Sequence, residues 1–164
     1  LATKEEAKVK KATICFCLRD GNVLLAMKRQ SFGSGKWNGY GGKVDEGESP
    51  RAAVIRELRE ESGLVAHEDD LMQVGRIKFF FEDEPKFECH VYVLHAWEGE
   101  PVDSDEMHDA RWFPVSTLPF AQMWPADAVW IPLILAGECI DAKVVYSADG
   151  TSLEKFSYRK ATFD

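Results

Sequence analysis

From Lys11 to Leu18 the chain is almost continuously apolar (KATICFCL), too short a run for a helix but long enough for a buried strand. A second apolar run, Val23 to Lys28, follows the turn-forming residues Arg19-Asp20-Gly21-Asn22, so the two together predict a hairpin. Met72 to Phe81 and Phe87 to Trp97 predict another strand pair across Glu82-Asp83-Glu84-Pro85. Arg111 to Val115 predicts a short strand, and Ala142 to Ser147 with Leu153 to Arg159 a closing hairpin around Asp149-Gly150. Two segments read as helices instead. Ser49 is a good N-cap, Pro50 fits the first helical position, and Gly63-Leu64 reads as a stop, which bounds a helix at Pro50 to Ser62. Trp124 to Leu135 predicts a second helix, with Pro125 near its start and Pro132 bending it. This order of elements is that of an α+β domain with mixed strands.

The first helix has an unusual polar edge. At 100° per residue Glu57, Glu60 and Glu61 fall within about a 100° arc, beside an apolar arc of Val54, Ile55 and Leu58. A solvated face is the ordinary reading of acidic residues on a helix. Here three carboxylates repel one another at i, i+3 and i+4, toward the helix end where the macrodipole disfavours anions. Arg56 pairs with Glu60 at i+4, yet one guanidinium cannot neutralise three carboxylates. Hard oxygen donors gathered this way suit Mg²⁺, or Mn²⁺ in its place, held jointly by carboxylates and substrate phosphates.

Composition narrows the class. At 164 residues, with 45% hydrophobic and 29% charged side chains, the chain reads as one soluble domain over residues 11–164 behind a polar tail over 1–10. A net charge of −8 argues against a nucleic acid polymer as partner, although bound metal ions would reverse the sign locally for a nucleotide. No apolar stretch approaches membrane-spanning length, and LATKEEAKVKK lacks a signal-peptide core. Cys15, Cys17, Cys89 and Cys139 have no metal-binding spacing and read as reduced thiols of a cytoplasmic protein, and the four histidines form no cluster.

Residues 42 to 64, GKVDEGESPRAAVIRELREESGL, resemble the Nudix box: Gly42, Glu48, Arg56, Glu57, Leu58, Glu60, Glu61, Gly63 and Leu64 fill every fixed position. Taking about one chance in twenty at each single-identity position, a random match is on the order of 10⁻⁹ per start site. The chain is thereby identified as a member of the Nudix hydrolases. The resemblance extends to the MutT-like branch through VLLAMK (23–28), FGSGKWNGYGGKV (32–44), SDEM (104–107) and PFAQMWPADAVWIPLIL (119–135). It implies an α/β/α sandwich with a mixed sheet, the box forming a loop–helix–loop against it. It further implies a monomeric, Mg²⁺-dependent enzyme that converts oxidised purine nucleoside triphosphates, such as 8-oxo-dGTP and 2-hydroxy-dATP, to the monophosphate and pyrophosphate, cleansing the nucleotide pool.

The resemblance also distributes roles. Glu57, Glu60 and Glu61 would hold metal and supply the general base, with the choice among them open; the carbonyls of Gly41 and Gly42 and the distant Glu106 would complete the metal site. Arg56 would orient a glutamate, and Glu48 would assist near the helix start. Lys28 would reach a phosphate, and Thr13, a hydroxyl in an apolar strand, would line the pocket. A purine needs apolar faces and a polar edge. Phe32, Phe79, Phe81, Met107, Trp124 and Trp130 offer faces, Asn38 and Asp127 offer edge contacts, and Tyr40 and Lys43 lie in the same matching stretch. One departure stands out: the family pattern has two aspartates after Trp-Pro, whereas this chain has Ala126 then Asp127. Two other readings compete: a Nudix enzyme acting on unmodified dNTPs, ADP-ribose or a nucleotide sugar, and a non-catalytic nucleotide-binding regulator. The regulator should have degraded glutamates, and here all are present.

Overall fold

The computed structural model describes residues 9–29 and 32–163. Its eight strands are β1 (Lys10–Arg19), β2 (Asn22–Lys28), β3 (Trp37–Asn38), β4 (Leu71–Phe81), β5 (Glu84–Leu94), β6 (Met107–Pro114), β7 (Ile140–Tyr146) and β8 (Leu153–Lys160), and its helices are α1 (Pro50–Ser62) and α2 (Asp127–Leu135). The strands form one mixed sheet in the order β3-β2-β1-β5-β4-β7-β8, with β6 on β2. β1 runs parallel to β5 and β4 parallel to β7, while β4–β5 and β7–β8 are antiparallel. The polar tail expected over 1–10 lies largely outside the described residues, and Lys10 already belongs to β1. Among the described residues no helix is long and apolar enough to cross a membrane.

The two sheet faces carry two cores. Ile14, Phe16, Ile77, Val91, Ile140 and Val144 pack against Trp130, Ile131 and Ile134 of α2. Alternate residues on the opposite side, Cys15, Cys17, Tyr92 and Leu94, pack against Val54 and Leu58 of α1. Period-two alternation along β1 thus faces both layers, as expected of a central strand buried on both sides. The result is a helix–sheet–helix sandwich.

α1 has the boundaries its caps specify. The Ser49 side chain accepts the Ala52 N–H at 3.1 Å, and Gly63 closes the helix at φ 78° with its N–H donated to the Arg59 carbonyl. Asp20 and Gly21, both at positive φ, turn the first hairpin, but β1 and β2 pair only near that turn before diverging. Other boundaries need correction. β5 begins at Glu84, leaving Glu82-Asp83 as the turn and Pro85 inside the strand beside an irregularity in the pairing, and it ends at Leu94 rather than Trp97. β6 starts four residues earlier than its apolar core suggests, since Met107 and His108 pair with Lys28 and Met27. α2 begins at Asp127, so Trp124 and Pro125 precede it; there the Asp127 side chain accepts the Trp124 N–H at 3.1 Å.

Candidate active site

The loop before α1 passes so close to β1 that only glycine fits. A Cβ at Gly41 would stand 2.0 Å from the Thr13 carbonyl oxygen, and one at Gly39 would stand 2.6 Å from that of Cys15. The contact is held by Thr13 N–H to the Gly42 carbonyl at 2.8 Å and Cys15 N–H to that of Tyr40 at 2.6 Å. Close approach, rather than a left-handed backbone, is what these glycines provide. It brings the loop over the acidic edge of α1: Gly41 N–H donates to Glu61 Oε1 at 2.9 Å.

Glu57, Glu61 and Glu106 converge there, each offering a carboxylate oxygen within 4.8 Å of the others. Glu61 is 3% exposed, and burial raises its pKa to about 9 against the opposing Gly41 hydrogen bond, with Glu106 adding to the rise. Glu57 is also raised, chiefly by burial, and Arg56 works against that rise. Carboxylates this close, with Glu61 buried and Glu57 half-buried, are unfavourable without a cation between them, and an all-oxygen donor set fits a hard divalent ion. Glu60 lies outside the triad, half-exposed, with Oε2 3.1 Å from Arg56 Nη1.

Arg56 is the hub behind the triad. Its Nε and Nη2 donate to Glu48 Oε2 and Oε1 at 2.8 and 2.9 Å, Nη1 to Glu57 Oε1 at 2.9 Å, and Nη2 to the Lys43 carbonyl at 3.1 Å. This bidentate grip, with the Asp45 N–H donated to Glu48, pulls the Glu48 carboxyl down to about 2. Arg56 and Glu48 therefore position groups; they are not poised to exchange protons. Gly42 completes the packing, because a Cβ there would meet the Glu57 carboxyl carbon at 2.5 Å. We expect Gly42→Ala to displace Glu57 and lower turnover by at least about 10²-fold while costing only about 1–3 kcal/mol of stability. Paired kinetics and urea unfolding check this; turnover within threefold of the parent would refute the packing argument.

A cavity of about 1290 Å³ opens from this acidic site. Of the residues expected to contact substrate, it is lined by Thr13, Lys28, Phe32, Asn38, Lys43, Phe79, Phe81, Met107, Trp124, Asp127 and Trp130, together with Gly41, Gly42, Glu57, Glu61 and Glu106 of the acidic end. Tyr40 does not line it: 1% exposed, its ring is buried in the α1-side core. Ile14, Cys89 and Tyr146 also line the cavity. All three fall in predicted strands with no polar or motif signal, and only their placement on the same sheet face as Phe79 marks them. Aromatic rings form one wall, with Phe32 stacked on Trp124 (centroids 4.7 Å apart, planes at 26°) and Phe81 edge-on to it.

Two polar groups meet that wall. Asn38 Oδ1 accepts the Gly39 N–H at 2.9 Å, leaving its amide N–H groups as the face for a ligand. Asp127, 4% exposed, accepts from Trp124 N–H and Trp130 Nε1 at 3.1 Å each. Burial raises it to about 7, against those two hydrogen bonds and the charge of Lys36. Ala126 is fully buried, with its N–H donated to the Tyr146 hydroxyl at 3.3 Å, so the position that departs from the family pattern is packed within protein.

Residues 8–134 match the NUDIX domain. The chain is 47% identical over 124 residues to an oxidized purine nucleoside triphosphate hydrolase of zebrafish (Danio rerio), covering 75% of this chain and 78% of that one. It is 44% identical to the mouse enzyme of the same name over the same shares. Among solved structures, a MutT protein from Bacillus halodurans superposes with a TM-score of 0.78 over 92% of this chain and 97% of that one, at 24% identity, a likeness of fold.

Proposed function

This chain belongs to the NUDIX domain family, and from that premise we propose that it hydrolyses oxidised purine nucleoside triphosphates of the 8-oxo-dGTP type to the monophosphate and pyrophosphate. The observation that carries the reading is one cavity with an acidic triad around the buried Glu61 at one end and an aromatic wall with a donor and an acceptor at the other. The relatives' names support the substrate class.

Glu57, Glu61 and Glu106 would hold Mg²⁺, or Mn²⁺ in its place, with the Gly41 and Gly42 backbone beside them. Bound there, a divalent ion neutralises phosphate oxygens and lowers the pKa of a coordinated water. The chain's own groups do the rest. Lys28, at the end of β2 on the cavity wall, adds positive charge for the polyphosphate. Of the three helix glutamates, Glu57 and Glu61 line the cavity and Glu60 does not, which favours one of those two as the group that would take the attacking water's proton. Glu60 and Glu48 hold Arg56, which fixes Glu57. At the far end, Trp124 and Phe32 take the base face, Asn38 donates to a base carbonyl, and the ionised Asp127 accepts from a guanine-type N1–H and amino group. With Ala126 in place of a second carboxylate, guanine-type bases are favoured over 2-hydroxyadenine. The four cysteines are free thiols, which suits a cytoplasmic enzyme.

A substrate panel tests this. At equal low concentration, kcat/KM for 8-oxo-dGTP is expected to exceed those for dGTP, ADP-ribose and nucleotide sugars by at least about tenfold, with pyrophosphate rather than orthophosphate released. A higher value for any unoxidised substrate, or orthophosphate as product, would overturn the assignment.

A further inference from the structure

The sheet face that carries α1 is only half covered by it. Beyond Cys15, Cys17, Tyr92 and Leu94, the same face continues across β5, β4, β7 and β8 with no helix over it among the described residues. Register places Lys11, Glu88, Lys78, Lys143 and Ser157 in one cross-strand row, and Thr13, His90, Arg76, Asp141 and Arg159 in the next. Lys155, opposite Val145, extends the basic end. In the second row the charges are matched, since Asp141 Oδ2 accepts from Arg76 at 2.8 Å and from Arg159 at 3.2 Å. The first row is not, because its one carboxylate, Glu88, lies 3.8 Å from Arg76 of the second row and pairs with none of the lysines. Lys78 and Lys143 stand directly opposite on neighbouring strands, an arrangement that repels. Among the described residues neither they nor Lys11 and Lys155 have a carboxylate within ion-pair distance. Lys143 Nζ instead lies 4.5 Å from the centroid of the half-buried Phe80 ring.

We propose that this open basic face binds single-stranded nucleic acid, with the lysine row on the phosphates and Phe80 as a stacking surface. A whole-chain charge of −8 conceals this segregation. Repelling lysines held side by side call for an anion, and a row running over five strands spans about 19 Å at 4.8 Å per strand, which calls for a chain of anions. Among the described residues no helix stands on this part of the sheet to enter a duplex groove. Its apolar side chains, Phe80 and Val145, are half-buried, so nothing protrudes for insertion into a bilayer. Phosphate contact from flat cationic strands with an interleaved ring is the chemistry of sequence-tolerant single-strand binding. The inference is independent of what the cavity hydrolyses.

Fluorescence anisotropy with a dye-labelled twelve-nucleotide pyrimidine RNA lacking terminal phosphates tests it on the full chain. Three to four phosphate contacts should give a log–log salt slope of about −2 to −3. Lys78→Glu and Lys143→Glu should each weaken binding by about tenfold or more and flatten the slope. Lys160→Glu, on the opposite face of β8, makes the same change in net charge and should stay within about twofold of the parent. All three should keep the parent's nucleotide turnover, which reports folding. Three results would each overturn the proposal: no binding at 50 mM salt, equal losses in all three variants, or lysine-dependent binding to phosphatidylserine vesicles with none to the oligonucleotide.

Discussion

Glu61→Gln is expected to lower kcat by at least about 10²-fold with the fold intact. The reason lies in what surrounds the carboxylate. It is 3% exposed, its Oε1 accepts the Gly41 N–H, and it faces Glu57 and Glu106 within 4.8 Å. Glutamine keeps the volume and the carbonyl acceptor for Gly41 but removes the charge that would hold a divalent ion. Because burial holds the parent carboxyl protonated well above its ordinary range in the metal-free chain, the neutral amide should not destabilise it, and the melting temperature should not fall. Steady-state kinetics against Mg²⁺ concentration, with thermal unfolding of the same samples, checks both halves. Turnover within threefold of the parent at saturating Mg²⁺ would remove Glu61 from the chemistry. A large loss of melting temperature would mean that the carboxylate serves the fold instead.

Asp127→Asn should be the second large effect, and a selective one. Kinetics for 8-oxo-dGTP are expected to fall by about 10²-fold in kcat/KM and those for dGTP by much less; equal losses on both would show that Asp127 does not read the base. The pH dependence has a definite sign. In the unfolded chain the carboxyl ionises near its ordinary 3.8, whereas in the folded chain it is raised to about 7. Between those values the folded state binds the extra proton, so this group's contribution makes stability fall as pH rises through the window, and the loss is complete above pH 7. The parent's melting temperature should therefore decline more steeply than the variant's from pH 5 to pH 8. The acceptor form populates over the upper end of the same range, so the parent's kcat/KM for a guanine-type base should rise from pH 6 to pH 8, a rise absent from Asp127→Asn. Parallel curves would place the titration elsewhere.

The parts legible in the sequence are those with a local cause. α1 is bounded by a serine cap, a proline and a left-handed glycine, all within three residues of its ends, and it falls where those residues predict. The hairpins marked by Asp20-Gly21 and Asp149-Gly150 follow the same logic. The bounds of α2 are less legible because it is apolar on nearly all sides, so periodicity marks no edge and its start depends on a side chain bonding back to Trp124. β3, at two residues, is too short to carry a pattern. At the site, the glutamates were visible as a helical arc, but their division into a triad with Glu106 and an outlying Glu60 depends on where the distant β6 loop lands. Tyr40 sits in a glycine-rich stretch that looks like a pocket rim, yet strand pairing with Cys15 turns it into the core.

Thr13 and Ile14 are neighbours on β1 that point to opposite layers, one bonded to the Gly42 carbonyl beside the glutamates and the other set among the residues packed against α2. The offset between the acidic end of the cavity and its aromatic wall is thus spanned by one pleat of a central strand paired over eight consecutive residues. Such a strand acts as a rigid gauge.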